Sequence, residues 1–163
     1  MAAITGQKAP DFTIYTTKAR PWRLADQLGS PVVLLFFPGA FTSTCTTELN
    51  EVNNDLARYN QLGATVVGIS TDSTPVLGEF KKVQHLDFEL LSDHNASVAE
   101  QYGAKYDGGF THMNLDRIAK RAAFVIDGTG VVRYAEVLED ADEHPDFESI
   151  LAVLEQTNAP ATS

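Results

Sequence analysis

Short runs of unbroken apolar residues alternate along the chain with stretches whose apolar positions recur at helical spacing. Val32 to Phe37 is apolar throughout, the pattern of a central strand buried on both faces. Ala64 to Ser70 and Ala122 to Ile126 read the same way. The second of these runs into the turn Asp127-Gly128-Thr129-Gly130 and a further strand, Val131 to Val137, which together predict a hairpin. Cys45, Leu49, Val52 and Leu56 follow one another at helical spacing and predict one helical face. Pro75 after Ser73 and Thr74 marks another helix start, with Val76, Phe80 and Val83 on one side. Val98 and Tyr102 lie one turn apart before Gly103, a helix stop. After Pro145, the residues Phe147, Ile150, Leu151 and Leu154 predict a last helix. Phe12 to Tyr15 and Trp22 to Leu24 predict a small β-hairpin ahead of the main fold.

This order predicts an α/β three-layer sandwich with a central mixed sheet and an N-terminal β-hairpin. It fits a thioredoxin-like domain, although periodicity alone does not separate that from other three-layer α/β folds. The 163 residues, 44% of them hydrophobic, amount to one domain. Residues 1–156 are expected to form it, and the polar tail 157–163 is expected to fray. The longest apolar run is too short to span a bilayer, and Met1 to Lys8 has no charged-then-apolar signal pattern. A soluble, cytoplasmic protein is expected.

Charge narrows the partners. Twelve Lys and Arg stand against 22 Asp and Glu, a net charge of −10, which disfavours nucleic acid and anionic membranes. The acidity reads as solubility or as adaptation to high salt, and composition does not choose between them. The single cysteine excludes an intrachain disulfide and a two-cysteine redox cycle within one subunit. His85, His94, His112 and His144 are scattered and do not resemble a metal site. Asp107-Gly108-Gly109 lacks phosphate-binding spacing. Tyr106, Phe110, His112 and Met113 on that segment line a pocket mouth, make a subunit contact or simply pack.

The chemistry concentrates between Phe36 and Leu49. The buried strand stops at Pro38, and the helix begins near Thr42, a favoured N-cap type. Cys45 then falls in the first helical turn, where unpaired N–H groups and the helix dipole favour negative charge. Chemistry also gathers beyond the carboxyl ends of strands in open α/β sheets. Against this, a free cysteine in phase with Leu49, Val52 and Leu56 is also an ordinary core residue.

The segment Pro38-x-x-x-Thr42-x-x-Cys45 resembles the peroxiredoxin active-site motif. Glu48 matches an acidic position common in that family, and Ala119 to Asp127 resembles the strand bearing its active-site arginine, at Arg121. Arg117 is a rival for that place. The similarity runs from Gly6 to the final helix. The Phe-Phe-Pro-x-Ala-Phe-Thr lead-in and the absence of a second cysteine look most like the one-cysteine, alkyl hydroperoxide reductase E-type branch. The resemblance implies that Cys45 is the nucleophile, with Thr42, Arg121, Pro38 and Glu48 as catalytic-site partners. Each has a bland reading as well: Pro38 as strand terminator, Thr42 as N-cap, Glu48 as a solvated helix residue, Arg121 as a surface residue at a strand start.

The activity implied is thiol-dependent reduction of hydrogen peroxide or an organic hydroperoxide through a Cys45 sulfenic acid. No cofactor or metal is implied. An external thiol would close the cycle: a thioredoxin, a glutaredoxin-like protein or a small thiol. A homodimer or higher homo-oligomer is implied as well. A peroxide sensor or holdase chaperone would use the same reactive cysteine and differ in lacking sustained turnover. Trp22, the only tryptophan, would be the sole source of any indole fluorescence change.

Overall fold

The structure, a computed structural model, describes residues 4–107 and 115–158. The expectations placed on Gly108, Gly109, Phe110, His112 and Met113, and on the tail beyond residue 158, lie outside the described residues.

Seven strands form one mixed sheet: β1 (Thr13–Thr16), β2 (Pro21–Arg23), β3 (Val32–Phe36), β4 (Thr65–Ser70), β5 (Glu89–Ser92), β6 (Arg121–Ile126) and β7 (Val132–Leu138). Their spatial order is β2-β1-β5-β4-β3-β6-β7. The β3–β4 and β4–β5 pairs are parallel, while β6 runs antiparallel to β3 and β7 antiparallel to β6. Among the described residues, five α-helices flank the sheet: α1 (Ser43–Asn54), α2 (Leu56–Gln61), α3 (Thr74–Gln84), α4 (Ser97–Gln101) and α5 (Phe147–Asn158).

The alternation of side chains along β3 sorts the core into two halves. Val32, Leu34 and Phe36 join Trp22, Tyr102 and Phe124 on one face, where α4 packs. Val33, Leu35 and Phe37 join Leu49, Phe80 and Leu151 on the other, covered by α1, α2, α3 and α5. All five β3 residues are therefore buried, as an uninterrupted apolar run requires.

Three expectations are corrected. The predicted single helix from Cys45 through Leu56 is two helices, α1 and α2, broken at Asp55. Asn53, Asn54 and Asp55 have short polar side chains that compete for backbone groups, which favours a helix end. On α3 the buried stripe is Leu77 and Phe80. Val76 and Val83, expected beside Phe80 in the core, are 41% and 49% exposed on its flanks. The N-terminal hairpin forms as expected, with β1 antiparallel to β2, and β1 also pairs with β5, so the hairpin extends the main sheet. Strand β5 itself, four residues long, has too little pattern to be legible beforehand. Thr157 and Asn158 belong to α5, whereas the sequence placed them in the tail.

The Asp127 turn forms as expected. The Asp127 carboxylate accepts hydrogen bonds from the Thr129 and Val131 amides and from the Thr129 hydroxyl, and Gly130 takes the positive φ the turn needs. No described helix is long and apolar enough to cross a membrane.

Candidate active site

Strand β3 ends against Pro38, which has no N–H to continue the ladder. The last bond of the ladder runs from the Phe37 amide to the Ile69 carbonyl, 2.9 Å. The chain then turns through Gly39, Ala40 and Phe41 into α1. Phe41 adopts φ +64°, a left-handed conformation that is costly for a bulky residue. Its half-exposed ring leans edge-on against Phe80, with centroids 5.0 Å apart. A carboxylate fixes this turn from outside. Asp72, just past the end of β4, accepts hydrogen bonds from the Ala40 amide (2.8 Å) and the Ser70 hydroxyl (2.7 Å).

Thr42 occupies the N-cap position of α1 with extended backbone, as its residue type suggests, but its hydroxyl does not cap the helix. It donates instead to the Gly39 carbonyl at 2.8 Å. The N-cap side chain makes no capping bond, so it does not offset the dipole at the first turn, where Cys45 lies.

Cys45 is 1% exposed, Glu48 0% and Arg121 1%, so the guanidinium is a core residue and not a surface charge. Sheet register brings it there. Phe36 pairs with Ala122, which sets Arg121 beside Phe37 at the end of β3. Alternation along β6 then aims it to the Ala123 and Val125 face, where α1 packs. Arg121 Nη2 donates to Cys45 Sγ at 3.2 Å, and Nη1 donates to Glu48 Oε1 at 2.5 Å. Nε and Nη2 also donate to the Ala141 carbonyl, at 3.2 and 2.8 Å, in the β7–α5 loop. The rival Arg117 lies exposed outside the strand.

Electrostatics follow from this burial. Loss of water pushes the Glu48 carboxyl up to about 7, and the pull of Arg121 only partly offsets it. Glu48 Oε2 is buried with no hydrogen-bond partner among the described residues, which adds to the cost of its charge. Burial pulls the Arg121 guanidinium down, but Glu48 and Cys45 together hold it above its ordinary value. A permanently charged fork therefore sits between a carboxylate and the sulfur.

Cys45 and Arg121 line a cleft of about 350 Å³ whose walls include Pro38, Thr42, Asp72, Leu115 and Asp142. Glu48 lies behind Arg121 and does not reach the cleft. All five residues singled out from the sequence thus converge on one place, four on the cleft and one supporting it. Two features were missed, Asp72 and the Ala141 carbonyl. Asp72 carries a usable signal, a carboxylate just beyond the carboxyl end of a strand parallel to β3. A backbone carbonyl carries none. Among the described residues, no cluster of His, Cys, Asp and Glu could hold a metal.

The sequence pattern of the AhpC/TSA family matches residues 5–135. The chain belongs to this family of peroxiredoxins. The Coxiella burnetii peroxiredoxin named bcp is 36% identical over 132 residues, covering 81% of this chain and 87% of that protein. Peroxiredoxin Bcp of Escherichia coli is 32% identical over 129 residues, covering 79% and 82%. The crystal structure of peroxidoxin BcpB from Mycobacterium tuberculosis superposes with a TM-score of 0.83 at 33% identity, covering 94% of this chain and 97% of that one. The thioredoxin-like fold read from the element order is thereby borne out. This peroxiredoxin is a thiol-dependent peroxidase, acting on peroxides with thiol reductants. These three similar proteins carry Bcp names.

Proposed function

We propose that the peroxiredoxin works by a one-cysteine cycle, with Cys45 as the only redox sulfur. The observation that carries this reading is the 3.2 Å bond from Arg121 to the sulfur of the chain's single cysteine, in the wall of a cleft. That cycle is also what the resemblance to the E-type branch implies.

In the first half-reaction the Cys45 thiolate attacks the terminal oxygen of the hydroperoxide. An S–O bond forms, the O–O bond breaks, and sulfur loses two electrons. The departing oxygen takes up a proton and leaves as water or an alcohol. Arg121 stabilises both the thiolate and the charge that builds on the leaving oxygen. The Thr42 hydroxyl spends its proton on Gly39, so its oxygen accepts the hydrogen bond of the incoming O–OH group. Pro38 walls the cleft and limits water. Glu48 orients the guanidinium by a charge-assisted bond and is a positioning residue.

In the second half-reaction an external thiol attacks the sulfenic acid, releasing water and forming a mixed disulfide. A second thiol then displaces Cys45 as thiolate. The test is turnover: peroxide consumption by the native protein and by Cys45→Ser, with a thiol in excess. The native protein should consume many equivalents and form two oxidised thiols per peroxide, and Cys45→Ser should lose essentially all activity. Wild-type activity in Cys45→Ser would remove the mechanism. A single stoichiometric oxidation without turnover would favour a sensor.

A further inference from the structure

The β7–α5 loop reads Glu139-Asp140-Ala141-Asp142-Glu143, with acids at every position but one. The exception is the residue whose carbonyl takes two hydrogen bonds from Arg121. The buried guanidinium therefore clamps an acidic loop over the cleft. Asp142 lines the cleft, and Asp72 stands on another wall. The Asp142 amide donates to Asp140 Oδ1 at 2.9 Å, and the Glu143 amide to the Asp140 carbonyl at 3.2 Å, so the loop is internally braced.

Among the described residues, few cations offset these charges. Lys120 pairs with Glu139 at 2.6 Å. Arg121 is buried and committed to Glu48, Cys45 and Ala141. His144 faces Glu51 on α1 at 3.5 Å. Asp116 and Arg117, beside the Leu115 wall, are one of each sign. Asp72, Asp140, Asp142 and Glu143 have no cationic partner among the described salt bridges. All of this lies on a chain of net charge −10.

We propose that the acids at the cleft, Asp72 and Asp142 in its walls with Asp140 and Glu143 next to them in the loop sequence, select reactants by charge, so that Cys45 is served by uncharged or cationic small thiols and anionic thiols are slowed. Hydroperoxides entering the same cleft are sorted by the same rule. The part concerning thiols rests on the one-cysteine reading. A like-charged reactant is repelled at the mouth before any contact with sulfur, and salt removes the effect.

The experiment oxidises Cys45 with one equivalent of hydrogen peroxide and follows its reduction by intact-mass analysis. The probes are cysteamine, 2-mercaptoethanol and 3-mercaptopropionate, with rates expressed per thiolate. At an ionic strength of about 20 mM, cysteamine should exceed 3-mercaptopropionate by about tenfold or more, shrinking to within about threefold near 0.5 M salt. The double variant Asp140→Asn/Glu143→Gln should narrow the low-salt ratio by about threefold. The ratio between thiols is the readout, so a general loss of rate in the variant does not disturb it. A low-salt ratio near unity, or one that salt and the variant both leave unchanged, overturns the filter. If no thiol reduces the sulfenic acid, the one-cysteine reading fails, and the filter is judged on oxidation alone. There, a carboxylate-bearing organic hydroperoxide should react about tenfold more slowly than its methyl ester at low salt, and equal rates refute the proposal.

Discussion

Replacing Arg121 by lysine keeps a positive charge in the core and removes the fork. Three parts of the chain meet at that fork: Cys45 and Glu48 on α1, Ala141 on the loop and β6 itself. An ammonium is a compact, strongly hydrated charge, whereas the guanidinium presents donors in one plane. Lysine can keep the Glu48 pair, but it cannot also reach Sγ and the Ala141 carbonyl from the same position. Losing one preorganised donor aimed at developing charge costs about 3–4 kcal/mol, roughly 10²–10³ in rate. Folding should suffer less, by about 1–3 kcal/mol for the lost Ala141 bonds, because Glu48 retains a partner.

The rate of Cys45 oxidation is best read by quenched flow, dimedone trapping and intact mass. Trp22 fluorescence is a poor substitute. Trp22 stacks on Phe12 in the half of the core across the sheet from Cys45, so it does not sense the sulfur directly. A melting curve on the same sample separates lost chemistry from lost fold. If Arg121→Lys remains folded and is oxidised within about threefold of the native rate, the fork is not what stabilises the departing oxygen. Arg121→Met then asks about charge alone. It should be slower still, and more destabilised above pH 7 than below it, since Glu48 can escape isolation by keeping its proton.

Glu48→Gln should flatten the pH dependence of stability. The folded carboxyl titrates near 7 against an ordinary 4.5, so the native state binds the proton more tightly than the unfolded chain. Its stabilising effect is complete below about pH 4.5 and is lost as pH rises through 7, with a slope of up to about 1.4 kcal/mol per unit. Urea titrations of both proteins across that window give the difference, and a constant difference would contradict a raised Glu48. Thr42→Val removes the acceptor proposed for the hydroperoxide and should slow Cys45 oxidation about tenfold, with Thr42→Ser restoring most of it; equal rates in all three would remove Thr42 from the chemistry. Gly68→Ala brings a Cβ to 2.8 Å from Leu90 and 3.2 Å from Phe37, in the strand next to β3. It should cost about 1–3 kcal/mol by denaturant melting, because the buried side chains around it have little room to retreat.

The fold was legible wherever burial is two-sided or one-sided in a regular way. Val32 to Phe37 announced β3 because every residue of that strand meets a packed layer. Strand β5 was not legible, since Glu89–Ser92 gains its place between β1 and β4 from pairing and not from its own pattern. On α3 the residues Val76, Phe80 and Val83 satisfied the helical period, yet so did Leu77 and Phe80. Two overlapping apolar stripes exist on one helix, and only the sheet beneath decides which is buried.

The site divides along the same line. Pro38, Thr42, Cys45 and Glu48 lie in one continuous segment, so their relation is fixed by a strand end and a helix start that the sequence can express. Arg121 arrives from 73 residues beyond Glu48, and its usefulness depends on register. With Phe36 opposite Ala122, Arg121 falls beside Phe37 and on the α1 face. A slip of one residue would turn it to the opposite half of the core, away from the sulfur, without changing a single amino acid. No periodicity in the chain sets that pairing. It is set by the filling of both faces at once: Ala122 and Phe124 must enter the Tyr102 half while Ala123 and Val125 enter the Leu49 half. The position of the guanidinium is thus a consequence of where four apolar side chains on the same strand fit. Enlarging Ala123, which is fully buried next to Arg121, should slow Cys45 oxidation even though the residue touches no reactant; an Ala123→Val variant that is folded and oxidised at the native rate would show that the guanidinium does not depend on this packing.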